Sequence, residues 1–392
     1  MSSTADNVKS FSSGPEIELL LACARARLNA EESARVRQLA RADVDWHALL
    51  RLALRHGAMP ILYRQLSEIR PDQVPADFMA HLKDHYLLNA ARNLKLALEL
   101  CRIHELLLKN GIHAIPYKGP ILACAVYGEL SQRQFSDLDL MIRPPELNRV
   151  AELLLAEGYE RQWQLTPRQE RAYFKSDCER LFSHGGQIFI DVHWATVRNY
   201  FPLEIALDRY RARLQSVSLE SCVMQSFAPP DLLIILCVHA SKDLWDKLIW
   251  VCDIAELLRA NPLLDWEAVL TESFETKTNR MLMLGLSLAH YLLGASLPAQ
   301  VLRIIETDET VGSMTCKIKS RLLQEEARTD DALAEFGFYF RLMEGSLSKL
   351  SYTTRYWLTT NPSDWDYLKL PDKLFFLYPL LRGWRLLRKH WR

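Results

Sequence analysis

The sequence lacks an excess of either charge, because 48 lysine and arginine residues balance 48 aspartate and glutamate residues in a chain of 392. Proteins that bind duplex nucleic acid usually carry a basic excess, so we expect no partner of that class. The sequence also lacks any apolar run of about 18 residues, so we expect no membrane-spanning helix. Its first stretch, MSSTADNVKSFSSGP, lacks the apolar core of a signal peptide. These absences predict a cytoplasmic protein.

The eight cysteines include no Cys-x-x-Cys pair. Most of them occur in apolar segments of helical character, such as LLLACARARL and IILCVHA. Cysteines in such surroundings are usually buried, and a reducing cytosol keeps them as thiols. The sequence therefore predicts buried free thiols.

Strand-like segments occur only in the middle of the chain, where IHAIPYKG, FSDLDLMI and QIFIDVHW alternate with helical segments. The glycines of HGG, before the third segment, suggest a hairpin turn. Elsewhere apolar residues recur at intervals of three and four, which is typical of helices. The pattern predicts a predominantly helical α+β protein without internal repeats. Its expected segments are a disordered lead-in (1–15), an N-terminal helical region (16–110), an α/β core (111–200), a helical region packing on the core (201–310) and a C-terminal helical region with a basic aromatic tail (311–392).

Two aspartates, Asp137 and Asp139, lie one residue apart in SDLDLMI. Side chains alternate along a strand, so both face one side while Leu138, Leu140 and Ile142 face the core. Like charges at this spacing repel each other and raise each other's pKa. A divalent cation removes that penalty, because carboxylate oxygens are the ligands that Mg²⁺ prefers.

A third carboxylate, Asp191, occurs in FIDVHW on the strand face that it shares with Phe189 and His193. If this strand lies beside the first, the three carboxylates converge. Metal-dependent phosphoryl and nucleotidyl transfer needs such a group of carboxylates. The alternative is a solvated strand face, which is common in antiparallel sheets.

The segment PYKGPILACAVYGELSQRQFSDLDLMI, followed by a helix ending in AEGYE and then by IDVHW, resembles the uncharacterised nucleotidyltransferase family of the DNA polymerase β superfamily. The Lys-Gly step, the arginine ahead of Ser-Asp-x-Asp and the later Asp-x-His-Trp carry the resemblance, which extends over roughly 40–290. It implies a small mixed-sheet, polymerase β-like core flanked by helices. It also implies transfer of a nucleoside monophosphate from a nucleoside triphosphate to an acceptor hydroxyl by a two-metal mechanism with Mg²⁺ or Mn²⁺. The acceptor, a small molecule or a protein, is not identified by the sequence.

The resemblance assigns catalytic and metal-binding roles to three residues: Asp137, Asp139 and Asp191. Asp191 would also help to activate the attacking hydroxyl, which is the work of a general base. The turn YKGP would face the nucleotide phosphates. Most of the superfamily has Gly-Gly or Gly-Ser there, whereas Pro120 in this turn has no N–H to offer. Lys118 would supply a point charge instead.

Further side chains are candidates for contact with substrate. Arg133 suits bidentate phosphate contact, and its alternative role is to pair with an aspartate. Lys242 shares a helical face with His239 and Asp243, and that face either lines a cleft or packs between helices. Asp253 is expected to hydrogen-bond between packed helices. The predicted substrate- and phosphate-binding residues are Lys118, Gly119, Arg133, Ser136, His193 and Lys242.

The tail LFFLYPLLRGWRLLRKHWR combines basic residues with two tryptophans. Such a helix is suited to a membrane interface, so weak membrane-surface contact through 372–392 is one interpretation. The alternative is a final helix docked on the core with a basic exposed face. The alternative function is a catalytically degenerate binding or scaffold protein with the same fold, attached peripherally to a membrane.

Overall fold

Helices dominate the computed structural model, which describes residues 14–203, 205–219, 222–323 and 332–390. Residues 1–13 of the expected lead-in lie outside these ranges, and Pro15 begins the first helix. The α-helices are α1 (Pro15–Cys23), α2 (Ala30–Leu39), α3 (Trp46–Arg55), α4 (Met59–Ile69), α5 (Ala76–Lys109), α6 (Gly119–Leu122), α7 (Leu147–Ala156), α8 (Pro167–Ser176), α9 (Pro229–Lys242), α10 (Leu248–Ala260), α11 (Trp266–Glu275), α12 (Asn279–Leu293), α13 (Ala299–Thr307), α14 (Glu309–Leu323), α15 (Ala332–Leu342), α16 (Gly345–Leu358), α17 (Pro362–Tyr367) and α18 (Tyr378–His390).

A five-stranded mixed sheet in the middle of the chain has the order β1-β2-β5-β4-β3. Strands β2 and β5 run parallel, and the other neighbouring pairs are antiparallel. A separate hairpin consists of β6 and β7. The mainly helical α+β fold is therefore confirmed. The strands are β1 (Ile115–Pro116), β2 (Leu138–Met141), β3 (Glu160–Arg161), β4 (Glu179–His184), β5 (Ile188–His193), β6 (Gln215–Leu219) and β7 (Cys222–Ser226).

The predicted hairpin turn before β5 is confirmed. Gly185 and Gly186 both have positive φ, and they connect β4 to β5 where His184 pairs with Ile188. Positive φ at two successive residues is what a tight turn of this hand requires, and glycine adopts it without steric cost.

Strand β4 and the β6–β7 hairpin are absent from the sequence prediction. In β4 the alternate residues Arg180 and Phe182 are buried, and the guanidinium of Arg180 pairs with Glu170. A charged residue at a core position obscures the alternation of apolar and polar residues on which strand prediction depends. The hairpin lies in the segment 201–310, which was expected to be helical.

Both faces of β2 are covered. Leu138 and Leu140 belong to a core shared with α5 and α7, as predicted. Met141, on the opposite face, belongs to the larger core that includes α9, α10 and α12. The face that carries Asp139 is therefore turned towards helices rather than solvent, and Asp139 is only 4% exposed. This excludes a solvated strand face for that residue.

The prediction that every cysteine is a free thiol is wrong for two of them. Cys101 on α5 and Cys222 on β7 form a disulfide, with their Cα atoms 6.2 Å apart. The two residues are 121 positions apart, so no local pattern connects them. The remaining six cysteines are free thiols: Cys23, Cys124, Cys178, Cys237, Cys252 and Cys316.

No helix in the described ranges has both the length and the apolar character needed to cross a membrane. The last helix, α18, docks on the chain through Tyr378, Arg382 and Leu386. Arg382 and Arg385 both pair with Asp364 at the start of α17. The expected docking is confirmed, and Leu380 and Trp384 are exposed on this helix. The basic residues Arg388, Lys389 and Arg392 lie outside the described side chains, so the basic exposed face stays a prediction.

Candidate active site

The turn after β1 places Lys118 beside β2. Gly119 has a φ of +53°, and a Cβ atom there would lie 3.1 Å from the backbone oxygen of Asp137. Only glycine combines this left-handed conformation with such a close approach. The backbone conformation and the close packing at this position therefore require glycine after Lys118, whatever its role in binding substrate.

Three potential metal ligands meet at the junction of β2 and β5. Asp139 is the register partner of Asp191 across the parallel pair, and Met141 is the partner of His193. Each of the residues Asp139, Asp191 and His193 offers one ligand atom, and these three atoms lie within 4.8 Å of one another. The predicted convergence of Asp139 and Asp191 is therefore confirmed. Asp137 precedes β2 and does not belong to this group of three, so its metal-binding role stays a prediction.

Lys118 compensates Asp139 directly. Its Nζ lies 2.6 Å from Asp139 Oδ1, and both side chains are buried. His193 Nε2 lies 3.1 Å from the same oxygen, within hydrogen-bond distance. Burial alone would raise the pKa of Asp139, but the Lys118 ammonium and the His193 hydrogen bond outweigh it and hold that pKa well below its usual range. Asp139 is thus ionised throughout the physiological range.

The neighbouring carboxylates behave in the opposite way. Burial, with the charge of Asp139 as the second cause, raises the pKa of Asp191 to about 7. The same two causes raise the pKa of Asp137. These carboxylates have too little positive charge nearby to offset burial, and a divalent cation is the group that supplies it.

Glu179 is a site residue that the sequence reasoning missed. It is the register partner of His193 on β4, and its Oε2 lies 3.2 Å from His193 Nδ1. Lys242 Nζ donates to the same oxygen at 2.7 Å. Burial would raise the pKa of Glu179, but Lys242 and His193 lower it below its usual range. Glu179 is the first residue of β4, and because that strand was not predicted, no feature of the sequence indicated that Glu179 lies in the site.

Arg133 lines the cavity but forms its hydrogen bonds with Asp253. Its Nε and Nη2 donate to the two carboxylate oxygens of Asp253, each at 2.8 Å, and both side chains are buried. Tyr127 donates to Asp253 Oδ1 at 2.8 Å. The helix-packing role predicted for Asp253 is confirmed, while the phosphate-binding role of Arg133 stays a prediction.

His239 lies next to the lysine of the turn. Lys118 Nζ is 3.3 Å from His239 Nε2 and 3.4 Å from Nδ1. Burial and the nearby ammonium groups of Lys118 and Lys242 hold the pKa of His239 well below its usual range, so the imidazole is neutral. A neutral imidazole accepts a hydrogen bond from Lys118 and keeps the ammonium directed at Asp139.

All nine predicted site residues line one cavity of 220 Å³. They come from the turn after β1, the loop before β2, the end of β5 and the helix α9. His239, Asp243, Ile249 and Trp250 line it as well, so the predicted face of α9 does face the cleft. The nine residues are Lys118, Gly119, Arg133, Ser136, Asp137, Asp139, Asp191, His193 and Lys242.

Comparison with protein families shows the family to which the chain belongs. The profile of a family described as uncharacterised nucleotidyltransferase matches residues 42–294, more than half of the chain. The chain belongs to this family. Comparisons with curated proteins and with solved structures give no match.

The cavity of this nucleotidyltransferase lies wholly inside the matched segment, since its lining residues fall between Lys118 and Trp250. The potential metal ligands lie there too. A nucleotidyltransferase acts on a nucleotide, so this cavity is the candidate site for that substrate.

The donor set in this nucleotidyltransferase fits a divalent metal ion. Two carboxylates and an imidazole suit several divalent metals, and carboxylates alone suit Mg²⁺. A histidine that binds a metal usually donates its second ring N–H to a carboxylate. Glu179 stands 3.2 Å from His193 Nδ1, in the place where that carboxylate is needed. Metal binding through His193 Nε2 requires the tautomer with its proton on Nδ1. Glu179 is close to that atom, although the present geometry forms no hydrogen bond with it.

Proposed function

We propose that this nucleotidyltransferase moves a nucleoside monophosphate from a nucleoside triphosphate to an acceptor hydroxyl, with Mg²⁺ or Mn²⁺ as cofactor. The observation that carries the proposal is the group formed by Asp139, Asp191 and His193, within 4.8 Å of one another in the cavity of the matched segment. The parallel pairing of β2 with β5, which sets two carboxylates side by side, supports a polymerase β-like core.

The residues divide between phosphate binding and metal binding. Asp139, Asp191 and His193 would hold one ion, and Asp137 with Asp139 a second. When bound, the two ions would neutralise charge on the phosphates and lower the pKa of the attacking hydroxyl. The remaining proposed contacts to the triphosphate come from cationic and small polar residues at the turn, the loop and the helix: Lys118, Gly119, Arg133, Ser136 and Lys242.

The reaction forms one bond and breaks one bond. The acceptor oxygen bonds to the α-phosphorus, and the bond from that phosphorus to the bridging oxygen breaks. Pyrophosphate leaves with the electron pair. The hydroxyl proton passes to Asp191, which acts as the general base.

The nucleoside has an apolar surface within the same cavity. Ile249 and Trp250 at the start of α10 line it, and Trp250 packs edge to face against His239. An indole face binds any nucleobase by stacking, because every base has a π-face.

One observation favours the alternative of a catalytically degenerate binding protein. The ammonium of Lys118 already lies 2.6 Å from Asp139, where it supplies part of the charge that a metal would supply. In that case nucleotide binding would not depend on a divalent ion.

Calorimetric titration with Mn²⁺ and a non-hydrolysable nucleoside triphosphate tests the proposal. We expect metal-dependent nucleotide binding that falls at least tenfold in Asp139→Asn. Asp84→Asn, at an exposed aspartate on α5, is the matched control and should bind as the unmodified protein does. Equal binding with and without Mn²⁺ would favour the degenerate protein, and no nucleotide binding at all would refute the proposed nucleotidyl transfer.

A further inference from the structure

A second cavity, of 390 Å³, adjoins the first and shares Glu179, Lys242 and Asp243 with it. Small-molecule sites in proteins usually measure about 300–1,000 Å³. We propose that this second cavity binds the acceptor, and that the acceptor is a small, uncharged, polyhydroxylated molecule of the size of a sugar. The proposal rests on the proposed nucleotidyl transfer and adds the substrate class that the transfer requires.

The second cavity is built mostly from the part of the chain that the family profile does not cover. Its lining includes residues of α15, α16, α17 and α18, all of them beyond residue 294. The first cavity, in contrast, lies entirely inside the match. Nucleotide and metal are what members of one nucleotidyltransferase family share, and the acceptor is where they can differ. The residues beyond the match are Ala332, Glu335, Tyr339, Tyr356, Thr359, Thr360, Asn361, Ser363, Arg382, Arg385 and Leu386.

The charges of the second cavity argue against a charged acceptor. Among the described residues, four basic and four acidic side chains line it, so this part of the lining has no net charge. Each basic side chain already has a carboxylate partner, so an anion would have to displace that partner. The pairs are Arg198 with Asp177, Lys242 with Glu179, and Arg382 and Arg385 with Asp364.

The remaining lining is rich in hydroxyl groups and poor in apolar side chains. Ala332 and Leu386 are the aliphatic residues in it. Hydroxyls both donate and accept hydrogen bonds, which suits a ligand whose own groups do the same. The composition of the described lining therefore favours a polar acceptor over a lipid or an apolar peptide. The hydroxyl and amide residues are Ser176, Tyr200, Tyr339, Tyr356, Thr359, Thr360, Asn361 and Ser363.

The boundary between the cavities lies next to the candidate metal ligands. Glu179 lines both cavities, and its Oε2 is 3.2 Å from His193 Nδ1. A hydroxyl that enters past Glu179 and Lys242 therefore arrives beside the group formed by Asp139, Asp191 and His193. From there its oxygen attacks the α-phosphorus and its proton passes to Asp191, while pyrophosphate remains in the first cavity.

The experiment measures sugar binding and nucleotide binding on the same protein. Ligand-observed NMR uses glucose, galactose and mannose as neutral probes, with glucuronate and glucosamine as matched charged probes. A titration with a fluorescent nucleoside triphosphate and Mg²⁺ reports on the first cavity. Ser363→Trp, at an exposed position of the second cavity, fills that cavity with an indole. Ser346→Trp, exposed on α16 and outside both cavities, is the control.

We expect at least one neutral hexose to bind, more tightly than either charged probe. Ser363→Trp should weaken that binding at least tenfold and change nucleotide affinity less than twofold, and Ser346→Trp should change neither. Tighter binding of a charged probe, binding of no hexose, or binding unchanged in Ser363→Trp would overturn the acceptor class or its site.

A tenfold loss of nucleotide affinity in Ser363→Trp would place the nucleoside in the second cavity and also overturn the inference. Failure of the unmodified protein to bind nucleotide is a separate result. It refutes the proposed function itself, and the NMR signals of the sugars distinguish it from failure of the acceptor site.

Discussion

At the scale of single residues, Asp191 makes stability depend on pH. Its pKa is raised to about 7 in the folded protein by burial first and by the charge of Asp139 second. In the unfolded chain an aspartate has a pKa of about 3.9. Between these two values the folded state holds a proton that the unfolded state has lost, so raising the pH through this window favours unfolding.

We therefore predict that Asp191 makes the metal-free protein lose stability as the pH rises from about 4 to about 7. Urea unfolding in the presence of a chelator, at pH 5 and at pH 7.5, measures the change. Asp191→Asn cannot ionise and should lose less stability over that interval. Equal losses in the two proteins would show that the carboxylate of Asp191 is not destabilised by its surroundings.

Lys118 is the second residue with a specific prediction, because it competes with any cation for Asp139. Its ammonium lies 2.6 Å from the Asp139 carboxylate, in a buried setting where charges interact strongly. Lys118→Met should raise the affinity for Mn²⁺ at least tenfold, as measured by calorimetry in the absence of nucleotide. Lys83→Met, at an exposed lysine on α5, is the control. Weaker Mn²⁺ binding in Lys118→Met would mean that the lysine orders the ligands rather than competing with the metal.

At the scale of elements, the loop before β2 is fixed from two sides. On one side Asn93 of α5 donates its side-chain N–H groups to the backbone oxygens of Leu130 and Arg133. On the other side Arg133 forms its paired hydrogen bonds with Asp253 of α10. These hydrogen bonds on both sides of the loop fix the positions of Asp137 and of the start of β2. The polar residues of α5 and α10 thus support the site without lying in it.

Removing one partner of the Arg133–Asp253 pair should be costly, because it leaves a buried charge without compensation. We predict that Arg133→Met lowers the free energy of unfolding by about 3–5 kcal/mol in urea titrations. Arg149→Met removes an exposed arginine that pairs with Glu152 on α7, and it should cost at most about 1 kcal/mol.

A double variant distinguishes the structural role of Arg133 from a role in phosphate binding. The double variant Arg133→Met with Asp253→Leu should recover part of the lost stability, because it removes both buried charges. If Arg133→Met instead keeps its stability and loses only nucleotide affinity, the arginine acts mainly as a phosphate ligand.

At the scale of the whole molecule, the sequence predicts the features that depend on residues close together along the chain, such as the two faces of a strand. The alternation in SDLDLMI and IDVHW predicts the core-facing leucines and the aspartates on the other face. The pairing of Asp139 with Asp191 follows once the two strands are adjacent. Glu179 and the Cys101–Cys222 disulfide could not be predicted, because both depend on contacts between segments far apart in sequence. The second cavity has the same origin, since helices beyond residue 294 close it against α9.

The final helix also concerns the whole molecule, because its outer face decides whether the protein attaches to a surface. Phe376, in the 3₁₀-helix Asp372–Leu377 that precedes α18, is followed at intervals of four residues by Leu380 and Trp384 on α18. The three side chains are 66%, 73% and 63% exposed. The opposite face of α18 is buried, so these three residues form an apolar stripe on a docked element. Lys373, three positions before Phe376 in the sequence, is exposed, and the sequence has further basic residues at Arg388, Lys389 and Arg392. Apolar and basic residues side by side are what an anionic bilayer surface binds.

We predict that the protein co-sediments with vesicles containing anionic phospholipid, and less with purely zwitterionic vesicles. Replacing Phe376, Leu380 and Trp384 together by serine should lower the bound fraction severalfold, since burial of each large apolar side chain contributes about 1.5–3 kcal/mol at most. The matched control replaces Leu87 and Leu88, exposed leucines on α5, by serine and should bind as before. Equal sedimentation of the stripe variant and the unmodified protein would show that the stripe does not bind the membrane. Loss of binding only in the stripe variant would mean that the outer face of α18 contacts the membrane.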